Sequence, residues 1–476
     1  MTKGTLIAGT AALLSALLLT GCGGGSGGGG GDTGGIDRGG VTVAVGPVNG
    51  FGSIFVNGVE YSTSGATFTV DDQPGSESDL RVGQIVRVEG ELSANGRTGT
   101  AARVTFSDRL EGPVQSTDVQ AGRMIVLGQT VQVGPDTSFD SGISPASVEG
   151  LDVGQRVEVS GTVTSTGVVN ATRIELKASA ANVEVKGKAS AVDTANRRLQ
   201  INLLVVDYSA ASVSGFASGQ PANGDEVEVK GTVNGAGVLV ATSLEKESQG
   251  SPGDAGAKGD FEGLVTRFVS TTDFDVAGQR VTTTGTTTYS GGTSASLALD
   301  VQVRVEGSFD ASGRLTATKI DFRPKANIEI DARVDSVNAA GNSLVVLGVT
   351  VRTNSLTRFE DKSAADVTRF SLADLRAGDY VALHAYDSGG LIATQLERQD
   401  PLSRLELRGP AAALANPNFT VAGIPVTTDA GTEFRDVNGD SVDAATFFAA
   451  AAGRNVKVRG SLVGDAILAE RAEIEN

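Results

Sequence analysis

The sequence predicts an all-β chain in which six small antiparallel barrels of five to six strands follow one another in tandem, each with one short helix. The first observation is a stretch of the pattern Val-Gly-Gln-x-Val-x-Val-x-Gly that the chain repeats. The second is its spacing, since the position of Gly83 recurs after 71, 70, 76, 78 and 75 residues. A period near 70 residues suits a unit with a small core of its own rather than one turn of a solenoid. The copies are residues 80–90, 151–161, 223–231, 299–307, 375–385 and 453–460.

The second copy shows the elements of one repeat most clearly. A two-residue link, Gly128-Gln129, joins two apolar segments and predicts a β-hairpin. Strict apolar/polar alternation over residues 155–160 predicts a strand with one buried and one solvated face, and residues 147–151 predict the short helix. We expect such strands to curl into an oligonucleotide/oligosaccharide-type (OB-like) barrel, with a short open sandwich as the alternative. The strands are predicted at residues 111–115, 123–127, 130–133, 155–160 and 168–176.

The repeats and the segments between them divide the chain. Most joints are two to four residues long, and Pro324 and Pro401 mark two of them. The exception is a Gly/Pro/Ser-containing linker, at which we expect two semi-rigid halves of three repeats to hinge. The linker is long enough that the halves need not touch, so trypsin should cut first near Lys258. The predicted segments are 1–22 (signal peptide), 23–40 (Gly-rich tether), 41–107, 108–179, 180–247 (repeats 1 to 3), 248–259 (linker), 260–323, 326–398 and 402–475 (repeats 4 to 6).

Composition excludes several classes of function. The net charge of −17 disfavours nucleic acid as a partner, because nucleic-acid binding depends on Lys and Arg that neutralise phosphates. One Cys excludes a disulfide framework and a Cys-based metal cluster. His384 is the only histidine, which excludes a Ser-His site or a His-rich metal site. Its position in the repeat predicts an outward, solvated side chain.

The N-terminus resembles a bacterial lipoprotein signal. Lys3 precedes an apolar run over residues 6–19, and Leu19-Thr20-Gly21-Cys22 follows it. The run is short for a membrane span, and the chain's only Cys lies at the cleavage position of such signals. The resemblance implies a lipid on Cys22, which would be the contact with the membrane, and Gly23 in place of Asp favours the outer membrane, facing the periplasm or the cell surface. An ordinary secretory signal or a transmembrane anchor are the alternatives.

The repeats also resemble a known family. A Gly-x-Val opening, a Gly-x-x-Val hairpin, the Val-Gly-Gln-x-Val-x-Val-x-Gly strand and an Ala-Thr-x-Ile closing strand are similar to the repeated domain of unknown function numbered 5666, found in bacterial extracytoplasmic lipoproteins. The resemblance covers residues 41–475. The third copy departs from it at its hairpin, which lacks the Gly, and the fourth has Asp300 in place of Gly. The resemblance implies a fold and a location, but no activity.

One loop is a candidate calcium site. Asp436, Asn438 and Asp440 place oxygen ligands at alternate positions around a Gly, as calcium loops do, and Asp443 follows. The same pattern is typical of an ordinary turn, because Asn and Gly tolerate positive φ. Apart from this weak possibility of calcium, we expect no cofactor and no catalytic residues.

The sequence favours a non-catalytic, membrane-anchored protein of the cell envelope. Six similar repeats without a chemically distinct module predict a multivalent binding or spacer array whose partner is an unidentified envelope protein or glycan. A polysaccharide-binding array is one alternative, although aromatic residues make up only 5% of the chain. A glycoside hydrolase with a pair of acidic residues is the other, and it requires two carboxylates in one cleft.

Overall fold

The computed structural model describes residues 40–247, 253–402 and 404–475, and all of these belong to one compact unit. Cys22 and the rest of the predicted signal and tether through residue 39 lie outside the described residues. Across the described ranges, none of the helices has the length and apolar character needed to cross a bilayer.

Repeats 1 to 3 consist of short strands. In repeat 1 they are Gly40–Gly50 (β1), Ile54–Val56 (β2), Val59–Ser62 (β3), Thr67–Val70 (β4), Gln73–Gly75 (β5), Ile85–Leu92 (β6) and Thr98–Phe106 (β7). In repeat 2 they are Leu110–Asp118 (β8), Arg123–Val126 (β9), Gln129–Gln132 (β10), Ser138–Phe139 (β11), Arg156–Val163 (β12) and Val169–Leu176 (β13). In repeat 3 they are Asn182–Asp193 (β14), Arg198–Ile201 (β15), Leu204–Asp207 (β16), Ser212–Ser214 (β17), Glu226–Val233 (β18) and Leu239–Lys246 (β19).

Repeats 4 to 6 follow the same plan. Repeat 4 has Lys258–Ser270 (β20), Asp273–Val276 (β21), Gln279–Thr282 (β22), Thr288–Ser290 (β23), Gln302–Phe309 (β24) and Leu315–Phe322 (β25). Repeat 5 has Ile328–Asn338 (β26), Ser343–Val346 (β27), Val349–Arg352 (β28), Arg358–Asp361 (β29), Tyr380–Asp387 (β30) and Leu391–Gln399 (β31). Repeat 6 has Leu405–Ala415 (β32), Asn418–Val421 (β33), Ile424–Thr427 (β34), Glu433–Arg435 (β35), Ser441–Val442 (β36), the helix Ala444–Ala450 (α1), Asn455–Val463 (β37) and Ala466–Ile474 (β38).

Strand pairing closes a circuit within each repeat. In repeat 1, β1 pairs with β2, β2 with β3, β3 with β7, β7 with β6, and β6 returns to β1. The corresponding strands of the other five repeats pair in the same order. The circuit pairs these strands on both edges except along the first half of the first strand, whose second edge is left for pairing between repeats. The chain is therefore an all-β protein of repeated units.

Three details of the predicted fold are corrected. Repeats 2 to 5 contain six strands, within the expected range, but repeats 1 and 6 contain seven. The pairing is mixed rather than antiparallel, because β3 lies parallel to β7 and its equivalents do the same. Not every repeat has a helix, since the described connection between β17 and β18 contains only turns. Gly215, Gly219 and Pro221 lie in that connection and disfavour a helix. The 3₁₀ segments elsewhere are Glu77–Asp79, Val148–Gly150, Ser294–Ser296, Ala339–Gly341 and Leu372–Asp374.

The glycine that ends the repeated motif allows two strands to approach closely. The strand bulges between Glu89 and Gly90, and a Cβ on Gly90 would lie 2.0 Å from the carbonyl oxygen of Thr100. The bulge recurs at the same place in the other repeats, where repeat 5 has Ala385 instead. The motif therefore ends in glycine because the bulge brings the neighbouring backbone too close for a larger side chain.

The first strands of the repeats join the units in pairs. β8 pairs with β14 and β26 with β32, both antiparallel, whereas β1 pairs in parallel with β20. Repeat 1 is thus joined to repeat 4, which is distant in sequence, in a single 13-stranded sheet. The expectation of two separate halves hinged at the linker is wrong, because this strand pairing joins them. Lys258, the expected first trypsin site, lies in β20 and pairs with Thr42.

The hydrophobic cores are shared between repeats that are paired through their first strands. Repeats 2 and 3 share one apolar cluster, and repeats 5 and 6 share another that includes Phe419 and Phe447. Repeat 1 has its own cluster, while Val43 of its first strand contributes to the cluster of repeat 4. Packing of side chains thus continues across the repeat boundaries.

Candidate functional site: buried charges between the repeats

Charged side chains from the alternating strands are buried at contacts between repeats. Sequence alternation predicts these positions to be solvated, yet Glu158 and Asp260 are each only 2% exposed, and Glu397 is 3% exposed. An ionised side chain is costly to bury unless an opposite charge or hydrogen bonds accompany it. These residues have such partners, and in several cases the partners come from other repeats.

Arg173 connects three repeats. Its guanidinium lies on β13 of repeat 2 and donates to the carbonyl oxygen of Val82 in repeat 1 at 2.9 Å. The same Nη1 atom is 2.9 Å from Oε1 of Glu360 in repeat 5, and Nε is 3.4 Å from Glu175 in its own repeat. Burial lowers the pKa of Arg173, but the carboxylates of Glu360 and Glu175 outweigh it and keep the pKa above its usual value. The residue is charged and almost fully buried.

Lys186 is the central cation where repeats 1, 2 and 3 meet. Its ammonium lies 3.0 Å from Glu184, 3.3 Å from Glu228 and 3.9 Å from Oδ1 of Asp108. It also donates to the hydroxyl of Ser107 and, at 3.0 Å, to the backbone oxygen of Asp108. Burial lowers the pKa of Lys186, but Glu184, Asp108 and Glu228 raise it above its usual value. Burial, with Glu184 nearby, raises the pKa of Asp108 well above its usual range.

A second cation extends this cluster to repeat 1. Lys230 is 2.9 Å from Glu228 and 3.3 Å from Glu184, and it reaches Asp72 of repeat 1 at 2.5 Å. Repeats 1 and 3 are not neighbours in the chain. Charge pairing therefore links units that the chain does not connect directly.

Buried ion pairs also accompany the joined first strands. Arg304 binds Asp260 through two hydrogen bonds of 2.8 and 2.7 Å within repeat 4, and Asn57 of repeat 1 donates to the same carboxylate at 3.1 Å. Within repeat 6, Glu406 on β32, the strand that pairs with repeat 5, forms a partly buried ion pair with Lys457, and with Arg459 at 2.7 Å. Arginine suits such sites because its planar fork matches a carboxylate.

Glu158 titrates far from its usual range. Burial raises its pKa to about 7, although Lys177, which pairs with it, acts in the opposite direction, and Glu175 adds to the rise. Gln84 of repeat 1 approaches both Glu158 and Glu175, at 3.4 and 2.9 Å. The contact between repeats 1 and 2 therefore contains an acid that is partly protonated near neutral pH.

The replacement of Gly by Asp300 in repeat 4 has a structural reason. Asp300 has φ +64°, a left-handed backbone that Asp tolerates better than most residues. Its carboxylate accepts the backbone N–H of Ser165 at 2.6 Å and the hydroxyl of the same residue at 2.8 Å. Ser165 lies in the β12–β13 turn of repeat 2. The substituted residue thus makes a contact between repeats that glycine could not make.

His384 is half-buried, so the expectation of a solvated side chain is wrong. Its Nδ1 atom is buried and has no hydrogen-bond partner among the described residues. Thr394 places this part of repeat 5 beside repeat 2, because its hydroxyl lies 3.2 Å from the carbonyl oxygen of His384 and 2.6 Å from Asp136 of repeat 2. The face of repeat 5 that carries His384 therefore contacts repeat 2.

The carboxylates of Asp436 and Asp443 in the candidate calcium loop accept hydrogen bonds from nearby backbone N–H groups. Oδ1 of Asp436 accepts the backbone N–H groups of Asn438 and Asp440 at 2.9 and 3.0 Å, and Asp443 caps α1 by accepting the N–H of Thr446 at 2.7 Å. These contacts agree with the turn alternative. In the described ranges, no group of three or more His, Cys, Asp or Glu residues is arranged to hold a metal.

Sequence reasoning missed two clefts at consecutive joints. One of about 500 Å³ lies between repeats 4 and 5, where the joint residues 323–325 meet residues 386–388. The other, of about 220 Å³, lies between repeats 5 and 6 and includes residues 460–462. The aromatic Tyr386 is the one signal in the sequence, because the equivalent residues of the other repeats are Glu91, Thr162, Thr232, Ser308 and Ser461.

Comparison with known proteins identifies the repeats. No curated protein matches the chain. Among solved structures, a similar chain is "drosophila Unr CSD456", which is 14% identical, with 46% of this chain and 97% of that chain covered and a TM-score of 0.12. At this TM-score the likeness supports no argument about fold or function. The family model described as "Domain of unknown function (DUF5666)" matches residues 39–105, 111–175, 183–245, 262–321, 331–397 and 408–473. The chain belongs to the DUF5666 family and contains six tandem copies of its domain.

Proposed function

We propose that the chain is a non-catalytic, membrane-anchored protein of the cell envelope whose six repeats act together as one binding or spacer array. The observation that carries this proposal is the set of buried polar contacts of Arg173 and Asp260, which join repeats both in and out of chain order. Interfaces of this kind hold the exposed loops of different repeats in a fixed arrangement. A partner would then meet several surfaces at once rather than six independent sites.

Each repeat is proposed to be an OB-like barrel. The closed circuit of five strands supports this, as does the parallel pairing of its third and last strands. The 3₁₀ segment Glu77–Asp79 precedes the fourth strand of the circuit, β6, which agrees with the same assignment.

The arrangement of the acids favours binding over hydrolysis. A glycoside hydrolase needs two carboxylates roughly 5–10 Å apart beside its substrate. The acids of the networks are occupied by Lys or Arg partners, as Glu406 is by Lys457 and Arg459. In the larger cleft, Asp300 and Asp387 already accept hydrogen bonds from Ser165 and Gly390.

The envelope location is argued from the N-terminal sequence. The apolar run before Cys22 and the Gly-rich residues after it agree with a lipidated N-terminus on a flexible tether. With a net charge of −17, an envelope protein or a glycan suits the chain better as a partner than nucleic acid does. A polysaccharide-binding array is the second candidate, favoured by the larger of the two clefts.

Substitution of the proposed lipid attachment site tests the location. We expect wild-type chain in the membrane fraction and Cys22→Ala in the soluble fraction, because the thiol that would carry the lipid is gone and one lost anchor removes most of the membrane affinity. Fractionation followed by mass spectrometry of the N-terminal peptide measures this. Ser26→Ala, in the same glycine-rich segment, is the matched control and should stay with the wild type. Retention of Cys22→Ala in the membrane, without lipid on the wild-type peptide, would show that the anchoring proposal is wrong.

A further inference from the structure

Four glutamates lie side by side across the sheet that repeats 2 and 3 share. In register from β13 through β12 and β8 to β14, this glutamate row is Glu175, Glu158, Glu111 and Glu184. Residues directly opposite each other on antiparallel strands share a face, and like charges there repel. Residues 71–84 of repeat 1, the covering segment, lie against this row. We propose that this contact is a pH-sensitive joint, which is tight in acid and loosens as the pH rises past neutrality. The inference rests on the proposed array and names what regulates its rigidity.

The end of the covering segment is packed closely on β13. The side-chain amide of Gln84 donates to Glu175 at 2.9 Å and lies 3.4 Å from Glu158. The backbone is close as well, because a Cβ on Gly83 would lie 2.7 Å from the carbonyl oxygen of Thr172. Glu158 is only 2% exposed beneath this contact. The covering segment therefore excludes water from the carboxyl group of Glu158.

The buried carboxyl group of Glu158 is poorly matched by cations. Lys177 pairs with it, but 36% of that lysine side chain is exposed. The nearby acids are Glu111, Glu175, Asp71 and Asp108. Other cations of this contact have carboxylates of their own, in the pairs Arg156–Glu111, Arg173–Glu360, Arg81–Glu175 and Lys186–Glu184. Ionisation of Glu158 thus adds a negative charge where acids are already crowded.

The direction of the pH dependence follows from the titration of Glu158. Burial raises the pKa of Glu158 to about 7, although Lys177 opposes the rise, and Glu175 and Asp71 add to it. If the covering segment leaves, water reaches the carboxyl group and its pKa returns toward the ordinary value of 4.5. Protonation therefore favours the closed joint, and this stabilisation is complete below the ordinary pKa and is lost as the pH rises through about 7. Asp108 acts in the same direction, because burial raises its pKa too.

The other end of the covering segment stays attached over the same pH range. Asp72 lies 2.5 Å from the ammonium of Lys230 in repeat 3. Burial raises the pKa of Asp72, but Lys230 outweighs this effect and holds the pKa below its usual value. The pair is therefore charged on both sides of neutrality. Loosening at high pH begins at Glu158 rather than at Asp72.

The corresponding position of the motif differs in the other repeats. Repeats 1, 4, 5 and 6 have no acid there, but Arg87, Arg304, Ala382 and Lys457. Repeat 3 has Glu228, which lies between two ammonium groups, 3.3 Å from Lys186 and 2.9 Å from Lys230. Glu158 has one such partner among the described residues. We therefore assign the pH-sensitive joint to the contact between repeats 1 and 2.

The reaction of a buried thiol measures the opening of this joint. Ser138 on β11 is fully buried, and its Oγ atom is 3.3 Å from where a Cβ on Gly83 would lie, so Ser138→Cys places a thiol beneath the covering segment. In the full chain with Cys22→Ala, this thiol is the only one. Its rate of alkylation by iodoacetamide is divided by the rate in the urea-unfolded chain at the same pH, which removes the titration of the thiol itself. We expect the corrected rate to rise about tenfold between pH 6 and pH 8.

Two glutamate substitutions in this reporter chain identify the titrating group. Glu158→Gln should remove most of the rise and keep the rate at pH 8 near its value at pH 6, because the neutral amide copies the protonated acid. Glu433→Gln is the matched control, since Glu433 pairs with Arg435 and Arg471 on repeat 6, and it should leave the rise unchanged. Circular dichroism at both pH values checks that each variant is folded.

Three results would overturn the joint. They are a constant rate in the reporter chain between pH 6 and pH 8, a full rise in Glu158→Gln, and fast alkylation of Glu158→Gln already at pH 6. The last would mean that the ionised pair of Glu158 with Lys177 holds the contact closed. Alkylation of the reporter chain at the unfolded rate at both pH values would contradict the array itself. The membrane fractionation of Cys22→Ala depends on none of these outcomes, so the proposed location can fail or hold independently of the joint.

Discussion

Replacing Arg173 by methionine is expected to lower the free energy of unfolding by about 3–5 kcal/mol, because it removes the nearest cation from two mostly buried carboxylates and leaves only more distant ones. Glu360 of repeat 5 and Glu175 of repeat 2 both depend on this guanidinium, and the carbonyl of Val82 in repeat 1 loses its donor. Methionine keeps most of the side-chain volume. The loss of stability therefore measures the missing charge and hydrogen bonds rather than the cost of a cavity. Urea unfolding followed by circular dichroism measures it.

The control for this substitution is an ion pair within a single repeat. Arg123 lies 3.4 Å from Asp118, and both side chains are about half exposed. Exposed pairs contribute little, so Arg123→Met should change the stability by less than about 1 kcal/mol. Equal, small effects of both substitutions would mean that the contact between repeats 1, 2 and 5 does not hold the chain together.

Replacing Lys186 by methionine is expected to destabilise the chain strongly at pH 8, by about 3–5 kcal/mol, and less at pH 5. The ammonium offsets the charges of Glu184, Glu228 and Asp108, which lie 3.0, 3.3 and 3.9 Å away. Without it, Glu184 and Glu228 still pair with Lys230, but the buried Asp108 loses its nearby cation. Denaturant titrations at the two pH values measure the difference.

The predicted pH dependence of the destabilisation by Lys186→Met follows from Asp108. Burial raises the folded-state pKa of Asp108 well above its usual value, so the stability linked to its protonation is present at low pH and is lost as the pH rises through the folded pKa. The charge of Lys186 opposes this rise, so its loss should shift the pKa of Asp108 further upward and make the loss of stability largest at high pH. Lys246→Met, in the same repeat, removes a partly exposed pair with Asp225 and should have a small effect at both pH values. A larger penalty at pH 5 than at pH 8 would contradict this account.

Sequence periodicity predicted the repeats and their hairpins because those features are local. The hairpin between β9 and β10 forms as predicted, but its two-residue link is Leu127-Gly128, one residue earlier than expected, since Gln129 already belongs to β10. The alternating motif forms β12. The family match independently places six copies along the chain. The bulge at Gly90 also has a local signal, because the same glycine recurs at the end of the repeated motif.

The contacts between repeats could not be predicted in the same way. A strand with one polar face shows the same alternation whether that face meets water or the charged face of another repeat. Glu158 and Lys186 therefore look like surface residues, although both are buried. The parallel pairing of β1 with β20 joins residues more than 200 positions apart, and nothing in either segment specifies its partner.

The central claim, that the six repeats form one unit, is tested most directly by cutting the chain between its halves. A site for a specific protease can be inserted between Gln249 and Gly250, and the cut full chain analysed by size-exclusion chromatography with light scattering. The pairing of β1 with β20 and the contacts of Arg173 and Asp300 across the cut predict that both fragments elute together at the mass of the whole chain, and separate only in denaturant. Elution as two folded, separate fragments in native buffer would contradict the account.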